Sequence, residues 1–290
     1  MKMKKIILVA ALLALVCSCQ SQQEMAIGKS YGRWTNIGLE SMTENRNGGL
    51  EYIEVTINNF RKGAKDNNEI AARAVAAMKD IEAAGLKVWS VHLPYSRTLD
   101  VSVTDDSLRN ANVQFIAEMM EMSAEIFRPR RFVLHPSSEP IAPEERPDRL
   151  ANSHASIGIL AEVARKVGVT LCVENLPRTC LGQNSTEMLQ LIESYEDVRI
   201  CFDTNHLLFQ SHADFLAGIG KGLIGNVHLS DYDFENERHW IPGEGQIEWG
   251  PLWKGIREAG YEGIFMFECY GEPNQLLEAR DMLIREAEKQ

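Results

Sequence analysis

Short apolar runs alternate with helical patterns along most of this 290-residue chain. The runs lack the polar alternation of a half-exposed strand, so they are predicted to be strands covered on both faces, as in a parallel sheet. Eight strands are predicted, with the bounds Thr35–Glu40, Tyr52–Ile57, Val88–Leu93, Arg131–Leu134, Thr170–Glu174, Arg199–Asp203, Ile224–Leu229 and Ile264–Glu268.

Helical patterns fill the segments between the strands, although the first unit, around residues 43–49, is poorly marked. Gly85, Gly168 and Gly260 come just after three of these patterns, where a left-handed residue commonly ends a helix. The predicted helices are Asn67–Ala84, Asp105–Phe127, Pro147–Val167, Ser185–Tyr195 and Trp249–Ala259.

The alternation of strands and helices predicts an α/β fold, a single (β/α)8 TIM barrel over residues 31–290. A doubly wound open sheet would use the same alternation. That fold usually carries a glycine-rich turn after its first strand, whereas the Gly48-Gly49 pair precedes a strand. The barrel is therefore favoured over the open sheet.

The first residues are typical of a bacterial lipoprotein signal peptide. Three lysines precede an apolar run, Ile6–Val16, that is too short to span a bilayer stably, and the sequence Val16-Cys17-Ser18-Cys19 resembles a lipobox. Cys19 is the predicted lipidation site, because bulky Val16 makes Cys17 a weaker candidate. Residues 1–19 are thus predicted as signal peptide and residues 20–30 as tether, with an uncleaved membrane anchor as the alternative. The protein is expected to be exported and lipid-anchored, facing the periplasm.

The acidic charge disfavours a nucleic acid as partner. Cleavage removes Lys2, Lys4 and Lys5, so the formal net charge falls from −11 to about −14, and such a surface repels polyanions. Four cysteines remain, and three of them lie in apolar strand runs, where a buried free thiol is expected rather than a disulfide. They are Cys172, Cys180, Cys201 and Cys269.

Metal-binding side chains stand at the ends of six predicted strands. The carboxyl ends of neighbouring parallel strands face one way, so these side chains are predicted to converge on one point. They are His92, His135, Glu174, Asp203, His228 and Glu268, with His206 three residues beyond Asp203.

Four of these residues are predicted to hold a single divalent ion, namely Glu174, Asp203, His228 and Glu268. Three carboxylates and one imidazole suit Mn²⁺, Mg²⁺, Co²⁺ or Zn²⁺. Without a cation, the converging carboxylates would repel one another and some would stay protonated. The alternative is that each residue serves a loop or caps a helix separately.

The remaining candidates are predicted to contact substrate. Pro94 stands two residues after His92, Pro136 directly follows His135, and the two prolines fix the turn out of each strand. The long loop over residues 231–245 carries a charged and aromatic cluster followed by Gly243 and Gly245, which either approach a ligand or only turn the chain. The substrate-binding candidates are His92, His135, Arg178, His206, His239 and Trp240.

These motifs together resemble the xylose isomerase-like TIM-barrel superfamily, which contains sugar isomerases and epimerases and the endonuclease IV-type DNA repair enzymes. The motifs are His92-Leu93-Pro94-Tyr95, His135-Pro136, Val173-Glu174-Asn175, Phe202-Asp203-Thr204-Asn205-His206, Val227-His228-Leu229-Ser230-Asp231, His239 with Pro242-Gly243-Glu244-Gly245, and Glu268.

The resemblance to ketose 3-epimerases implies one divalent metal at Glu174, Asp203, His228 and Glu268. It also implies that the two glutamates exchange the substrate proton through an enediolate, and that His206 holds a substrate oxygen. The epimerases carry another glutamate six residues beyond the first metal glutamate, where this chain has Cys180. Substrate recognition therefore need not match theirs.

The predicted function is that of a metal-dependent sugar isomerase or epimerase that acts on a small sugar or keto-sugar. The protein is expected to contact the membrane only through its lipid anchor, and the prediction is compatible with a homo-oligomer. One alternative is a 3-keto-glycoside lyase that works by β-elimination at the same site, and another is a non-catalytic sugar-binding lipoprotein. A third is an endonuclease IV-like phosphodiesterase with three zinc ions. Its nine ligands would be His92, His135, Glu174, Asp203, His206, His228, Glu237, His239 and Glu268.

Overall fold

A computed structural model describes residues 26–32 and 37–289 of the chain. Eight parallel strands form one sheet in which each strand pairs with its neighbour in sequence, and β1 also pairs with β8. The strands are β1 Ile27–Tyr31, β2 Tyr52–Thr56, β3 Lys87–His92, β4 Arg131–Leu134, β5 Thr170–Glu174, β6 Arg199–Asp203, β7 Ile224–His228 and β8 Phe265–Phe267.

Leu229 closes the sheet between β7 and β8. Its amide donates to the carbonyl of Met266 at 2.9 Å, and its carbonyl accepts from the amide of Glu268 at 3.1 Å. The fold is therefore a single (β/α)8 barrel, as predicted, and all strand C-termini open onto one face.

Helices surround the barrel and bury their apolar faces against it. Several begin at a side-chain cap: Asp105 accepts from the amide of Leu108 at 2.9 Å, and Asn184 accepts from that of Glu187 at 3.0 Å. In the part of the chain that is described, the helices are α1 Leu39–Asn47, α2 Asn58–Arg61, α3 Asn67–Ala83, α4 Asp106–Phe127, α5 Arg146–Val167, α6 Ser185–Ile192, α7 His212–Ile219, α8 Trp249–Glu258 and α9 Pro273–Glu288.

The prediction of the first strand was wrong. Residues 33–36 lie outside the described part of the chain, and Leu39 and Glu40 begin α1 instead of ending a strand. The true first strand, Ile27–Tyr31, overlaps the segment 20–30 that was predicted as a tether, so the barrel includes residues from Ile27 onward. This strand contains Gly28, where an added Cβ would lie 2.8 Å from the Met266 side chain, so close packing against β8 explains its weak apolar pattern.

The predicted signal peptide and Cys19 lie outside the described residues. Within residues 26–32 and 37–289, no helix has the length and apolar character needed to cross a bilayer. The four cysteines of this part are free and buried, in agreement with the prediction of core thiols.

Candidate active site

The four predicted metal ligands converge at the C-terminal face of the barrel. Glu174, Asp203 and His228 end β5, β6 and β7, and Glu268 follows β8 directly. One ligand atom from each residue lies within 4.8 Å of the other three. Nδ1 of His228 is 2.8 Å from Oε1 of Glu174 and 2.9 Å from Oε2 of Glu268. We call these four residues the quartet.

The quartet contains a carboxylate oxygen without a hydrogen bond among the described residues, although Nδ1 of His206 lies 3.4 Å from it and Nδ1 of His228 lies 3.8 Å from it. Oδ1 of Asp203 accepts from the amide of Asn205 at 2.6 Å, but the buried Oδ2 has no hydrogen bond to any described residue. Burial raises the pKa of Asp203 well above its usual range, and Glu268 and Glu174 add to this effect against the opposing His206. Burial thus favours the neutral form of Asp203, and a nearby cation would favour its ionised form. The donor set fits a divalent ion, which Glu174, Asp203, His228 and Glu268 would hold.

The His228 ring partly balances the negative charge of the quartet. Burial lowers the pKa of His228, but Cys201 and the surrounding carboxylates outweigh it and raise the pKa well above the usual value. Burial likewise raises the pKa of Glu268, and the His228 ring brings it down to about 2. In the absence of an ion, the quartet therefore holds protons at neutral pH that a bound cation would displace.

The two oxygens of Glu174 face two different groups. Oε1 belongs to the quartet, whereas Oε2 lies 3.2 Å from Nε2 of His92 and 3.0 Å from Nε2 of His135. Nδ1 of His92 donates to the carbonyl of Leu93 at 3.0 Å, which fixes the ring orientation. The Tyr95 ring stacks on His135 with centroids 4.1 Å apart. His92, His135 and Glu174 thus form a second group with the geometry for metal binding.

A third group consists of His206, Glu237 and His239, which we call the outer cluster. Nδ1 of His206 donates to the carbonyl of Asn175 at 2.8 Å, and its Nε2 lies 2.9 Å from Oε1 of Glu237. Nδ1 of His239 donates to the carbonyl of Glu268 at 3.0 Å. Both rings are therefore held by backbone carbonyls, with Nε2 left to face the cluster.

Arg178 supplies the outer cluster with a cation of its own. Its guanidinium pairs with the second carboxylate oxygen of Glu237 and makes a two-point contact with Glu139, in which Nε lies 3.0 and 2.9 Å from the two oxygens. Burial raises the pKa of Glu237, but His206 and Arg178 lower it to about 2. Burial lowers the pKa of His206, but Asp203 and Glu237 raise it to about 10.

Two residues of this region have left-handed backbone conformations, Arg178 with φ 54° and His239 with φ 51°. Such conformations cost on the order of 1–3 kcal/mol each in residues other than glycine, and they persist only where the surroundings impose them. The ion pairs of Arg178 and the contacts around His239 impose these conformations here.

The loop after β7 brings Glu237 and His239 into place, and Asp231 organises it. This buried carboxylate accepts hydrogen bonds from the amides of Tyr232, Gly243 and Ile247 at 2.9, 2.8 and 3.1 Å. It also accepts one from the indole of Trp249 at 2.8 Å. A Cβ at Gly245 would lie 2.3 Å from Oδ1 of Asp231, so glycine is required there. Gly243 and Gly245 therefore allow the turn of the loop around Asp231.

A cavity of about 500 Å³ opens above Glu174 and Glu268. It is lined by the predicted substrate-binding residues His92, His135, Arg178, His206 and His239, and the loops after β3 and β4 add Ser96, Arg97, Ser138 and Glu139. Trp240 does not line it: its side chain is exposed, with the guanidinium of Arg238 5.7 Å from its ring. A larger apolar groove between α7 and α8 contains none of the quartet.

Three residues that sequence reasoning did not assign to the site hold it in place. Glu54, in the middle of β2, contacts His228. The sequence indicated Glu237 only as a ligand of the three-zinc alternative. The side chain of Asn175 bridges the backbone of Asp203, donating to its carbonyl at 2.9 Å and accepting from its amide at 2.8 Å. A charged residue flanked by Ile53 and Val55 inside an apolar strand was the available signal for Glu54.

Comparison with known proteins places the chain in a class and then in a family. The closed eight-stranded barrel with acidic and histidine residues at its C-terminal face is the arrangement of a TIM-barrel enzyme. Residues 46–286 match the sequence model of the xylose isomerase-like TIM barrel family, and the chain belongs to that family.

Several relatives are sugar epimerases. The chain is 24% identical over 230 residues to the D-psicose 3-epimerase of Agrobacterium fabrum, an alignment that covers 76% of this chain and 71% of that protein. Its fold is similar to the crystal structure of a D-tagatose 3-epimerase-like protein, with a TM-score of 0.71, 19% identity, and 91% and 98% of the two chains covered. It is also similar to 3-keto-D-glucoside 4-epimerase from E. coli, with a TM-score of 0.65, 19% identity, and 91% and 99% covered.

Proposed function

We propose that this protein is a divalent-metal-dependent sugar isomerase or epimerase that moves a proton at a carbon next to a carbonyl. The observation that carries the proposal is the position of Glu174 and Glu268. Both carboxylates contact Nδ1 of His228 and both line the cavity, so two proton-transfer groups stand beside one cation site. Membership in a family that includes sugar epimerases supports the same reaction class.

An ion bound by the quartet would withdraw electrons from a substrate carbonyl and so acidify the neighbouring C–H. One glutamate then removes that proton, and the other returns a proton to the same or the neighbouring carbon. The side chain of Glu268 is 21% exposed whereas that of Glu174 is 1% exposed. Glu268 therefore has the freer approach to a substrate in the cavity.

The cavity walls suit a molecule rich in hydroxyl groups. A volume of about 500 Å³ lies within the range of roughly 300–1,000 Å³ that is usual for small-molecule sites. His92, His135 and His206 line it, and Arg178, which also lines it, is already paired with two carboxylates. Neutral sugar hydroxyls can bond to these groups without adding a further unpaired charge.

Hydrogen exchange in D₂O tests the proposal. The purified protein is incubated with candidate ketoses and 3-keto-glycosides, with and without a chelator, and deuterium next to the carbonyl is followed by NMR. We expect exchange that needs the ion and that Glu174→Gln and Glu268→Gln abolish. The exposed Glu144→Gln serves as matched control and should exchange normally. Sugar binding without exchange in any of these substrates would instead indicate a non-catalytic binding lipoprotein.

A 3-keto-glycoside lyase is the nearest alternative, because the same glutamates could remove a proton next to the ketone and expel a β-substituent. One structural neighbour is a 3-keto-D-glucoside 4-epimerase, and this similarity favours glycosides of that kind as test substrates. Release of the free aglycone in the D₂O experiment would identify the lyase, whereas exchange without release would identify the epimerase.

Phosphodiester hydrolysis is a further candidate, favoured by the three groups with metal-binding geometry. The acidic charge of the chain weighs against a nucleic acid substrate. Metal analysis separates the candidates: about one ion per chain supports the sugar reaction, and three zinc ions would support the phosphodiesterase.

We further propose that the protein is exported and anchored to the periplasm-facing side of a membrane through lipid on Cys19. The support is the N-terminal sequence alone, with its three lysines, its short apolar run and its lipobox-like motif. Cys19→Ala should abolish labelling with a radioactive or clickable fatty acid in cells, and Cys17→Ala should not. Labelling that depends on Cys17 instead would contradict the assignment.

A further inference from the structure

Glu54 is a buried carboxylate with a fixed set of partners. It lies in β2 and is 0% exposed. Ser30 on β1 donates its hydroxyl to Oε1 at 2.7 Å, and Ser90 on β3 donates to Oε2 at 2.6 Å. Nε2 of His228, from β7 across the barrel, lies 3.0 Å from both carboxylate oxygens. The two neighbouring strands therefore hold Glu54 so that it faces one imidazole.

This contact determines which nitrogen of His228 carries hydrogen. An ionised carboxylate only accepts hydrogen bonds, so both ring nitrogens, each of which faces carboxylates, carry hydrogen in the ion-free protein. When an ion displaces one of these hydrogens, Nε2, which donates to Glu54, is the nitrogen that keeps its own. Nδ1, on the other side of the ring, faces Glu174 and Glu268. A neutral His228 in this position therefore presents its lone pair to the quartet and to no other group.

We propose that Glu54 is a positioning residue that makes Nδ1 of His228 the ion-binding atom. The inference rests on the proposed metal centre and adds to it a residue outside the quartet. By accepting a hydrogen bond from Nε2, the carboxylate excludes the tautomer protonated at Nδ1 and the ring orientation that would turn Nε2 toward the quartet. The same hydrogen bond makes Nδ1 more basic. The hydroxyls of Ser30 and Ser90 keep the carboxylate from turning away.

The first test is the affinity of Glu54→Gln for Zn²⁺, measured by competition with a chromophoric chelator. Loss of such a carboxylate typically weakens metal binding by about 10–100-fold, and that loss is expected here. Glu187→Gln is the matched control, because Glu187 is a largely buried glutamate that pairs with Arg146 away from the quartet. Its affinity should equal that of the wild type. Wild-type affinity in Glu54→Gln would overturn the inference.

A second test uses the wild-type protein and so does not depend on the folding of a variant. In the Zn²⁺-loaded protein with ¹⁵N-labelled histidine, NMR should show His228 bound to zinc through Nδ1 and protonated at Nε2. Coordination through Nε2 would overturn the inference. Both tests are independent of the D₂O experiment. A wild type that binds no divalent ion contradicts the metal centre itself, whereas normal ion binding with an indifferent Glu54→Gln contradicts only the role of Glu54.

Discussion

The quartet and the outer cluster are neighbouring groups of acids and histidines whose negative charge is balanced by different positive groups. The quartet has three carboxylates and one histidine, and the buried Oδ2 of Asp203 has no hydrogen bond within the described part of the chain. The outer cluster has one carboxylate and two histidines, and Glu237 is already paired with both His206 and Arg178. The cation of the ion-free quartet is the His228 ring, which a bound ion can deprotonate, whereas the outer cluster lies against the permanent charge of Arg178.

This difference bears on how many ions the site takes. A guanidinium cannot be deprotonated in a protein, so Arg178 is a permanent positive charge beside the outer cluster. A divalent ion between His206, Glu237 and His239 would have to share Glu237 with that charge. The quartet offers an ion a net negative environment without such a competitor. The contrast predicts one tightly bound ion, in the quartet.

The largest expected effect comes from the same chemical change made in each region. Asp203→Asn removes a ligand charge and should weaken Zn²⁺ or Mn²⁺ binding by on the order of 100-fold or more. Glu237→Gln should leave the affinity of the tight site nearly unchanged. Calorimetric titration of the two variants checks this, and equal losses in both would show that the two groups form one metal site.

The second largest effect should be that of pH on the affinity of the quartet for an ion. In the ion-free protein the pKa values of His228 and Asp203 are both raised, and the His228 ring therefore holds a proton at neutral pH that an ion must displace. Affinity should therefore rise with pH, by about tenfold per unit for each proton released. Titrations in buffers of different ionisation enthalpy count the protons. Zero protons released would contradict the charge state described for the quartet.

Arg178→Met tests whether the guanidinium keeps the outer cluster free of metal. Removing it leaves Glu237 and Glu139 without their partner, and because the side chain is 38% exposed the stability loss should be only about 1 kcal/mol. The number of Zn²⁺ ions bound at high concentration should rise from about one to about two. Arg178→Lys, which keeps the charge, should still bind one. An unchanged number of bound ions in Arg178→Met would show that the guanidinium is not what keeps the outer cluster free of metal.

The smallest effect is expected from His92→Ala. His92 contacts Oε2 of Glu174, on the side away from the quartet, so its loss should change ion affinity by only a few fold and act mainly on substrate binding. Affinity and KM measured on the same preparation separate the two effects. If this variant instead loses the ion, the second group that includes His135 is a metal site.

The barrel and the quartet could be predicted from the sequence because each depends on local pattern. Buried strands are continuous apolar runs, and a ligand at the end of such a run is already placed at the C-terminal face. Arg131–Leu134, Thr170–Glu174 and Arg199–Asp203 were predicted with their exact bounds. The predicted metal ligands Glu174 and Asp203 end two of these strands.

The errors occur where distant contacts override local pattern. β1 contains Lys29 and Ser30, which are satisfied by the carbonyl of Gly271 and by Glu54. No short window of sequence reveals these partners. Glu54 was missed for the same reason, since its role depends on a histidine 174 residues away in the chain. Trp240 was predicted as a substrate contact from the charged and aromatic cluster of its loop, but it does not line the cavity.

Asp231 has a consequence for how this site can change in evolution. The carboxylate of Asp231 forms hydrogen bonds with the start of the loop, with its glycine turn and with the first residue of α8. Residues 233–238 therefore lie between two segments whose positions are fixed by the same side chain. Substitutions and small insertions in that stretch can alter the cavity mouth without disturbing the barrel or the quartet. Changes in this segment can therefore alter which molecules enter the cavity while the barrel and the quartet stay the same.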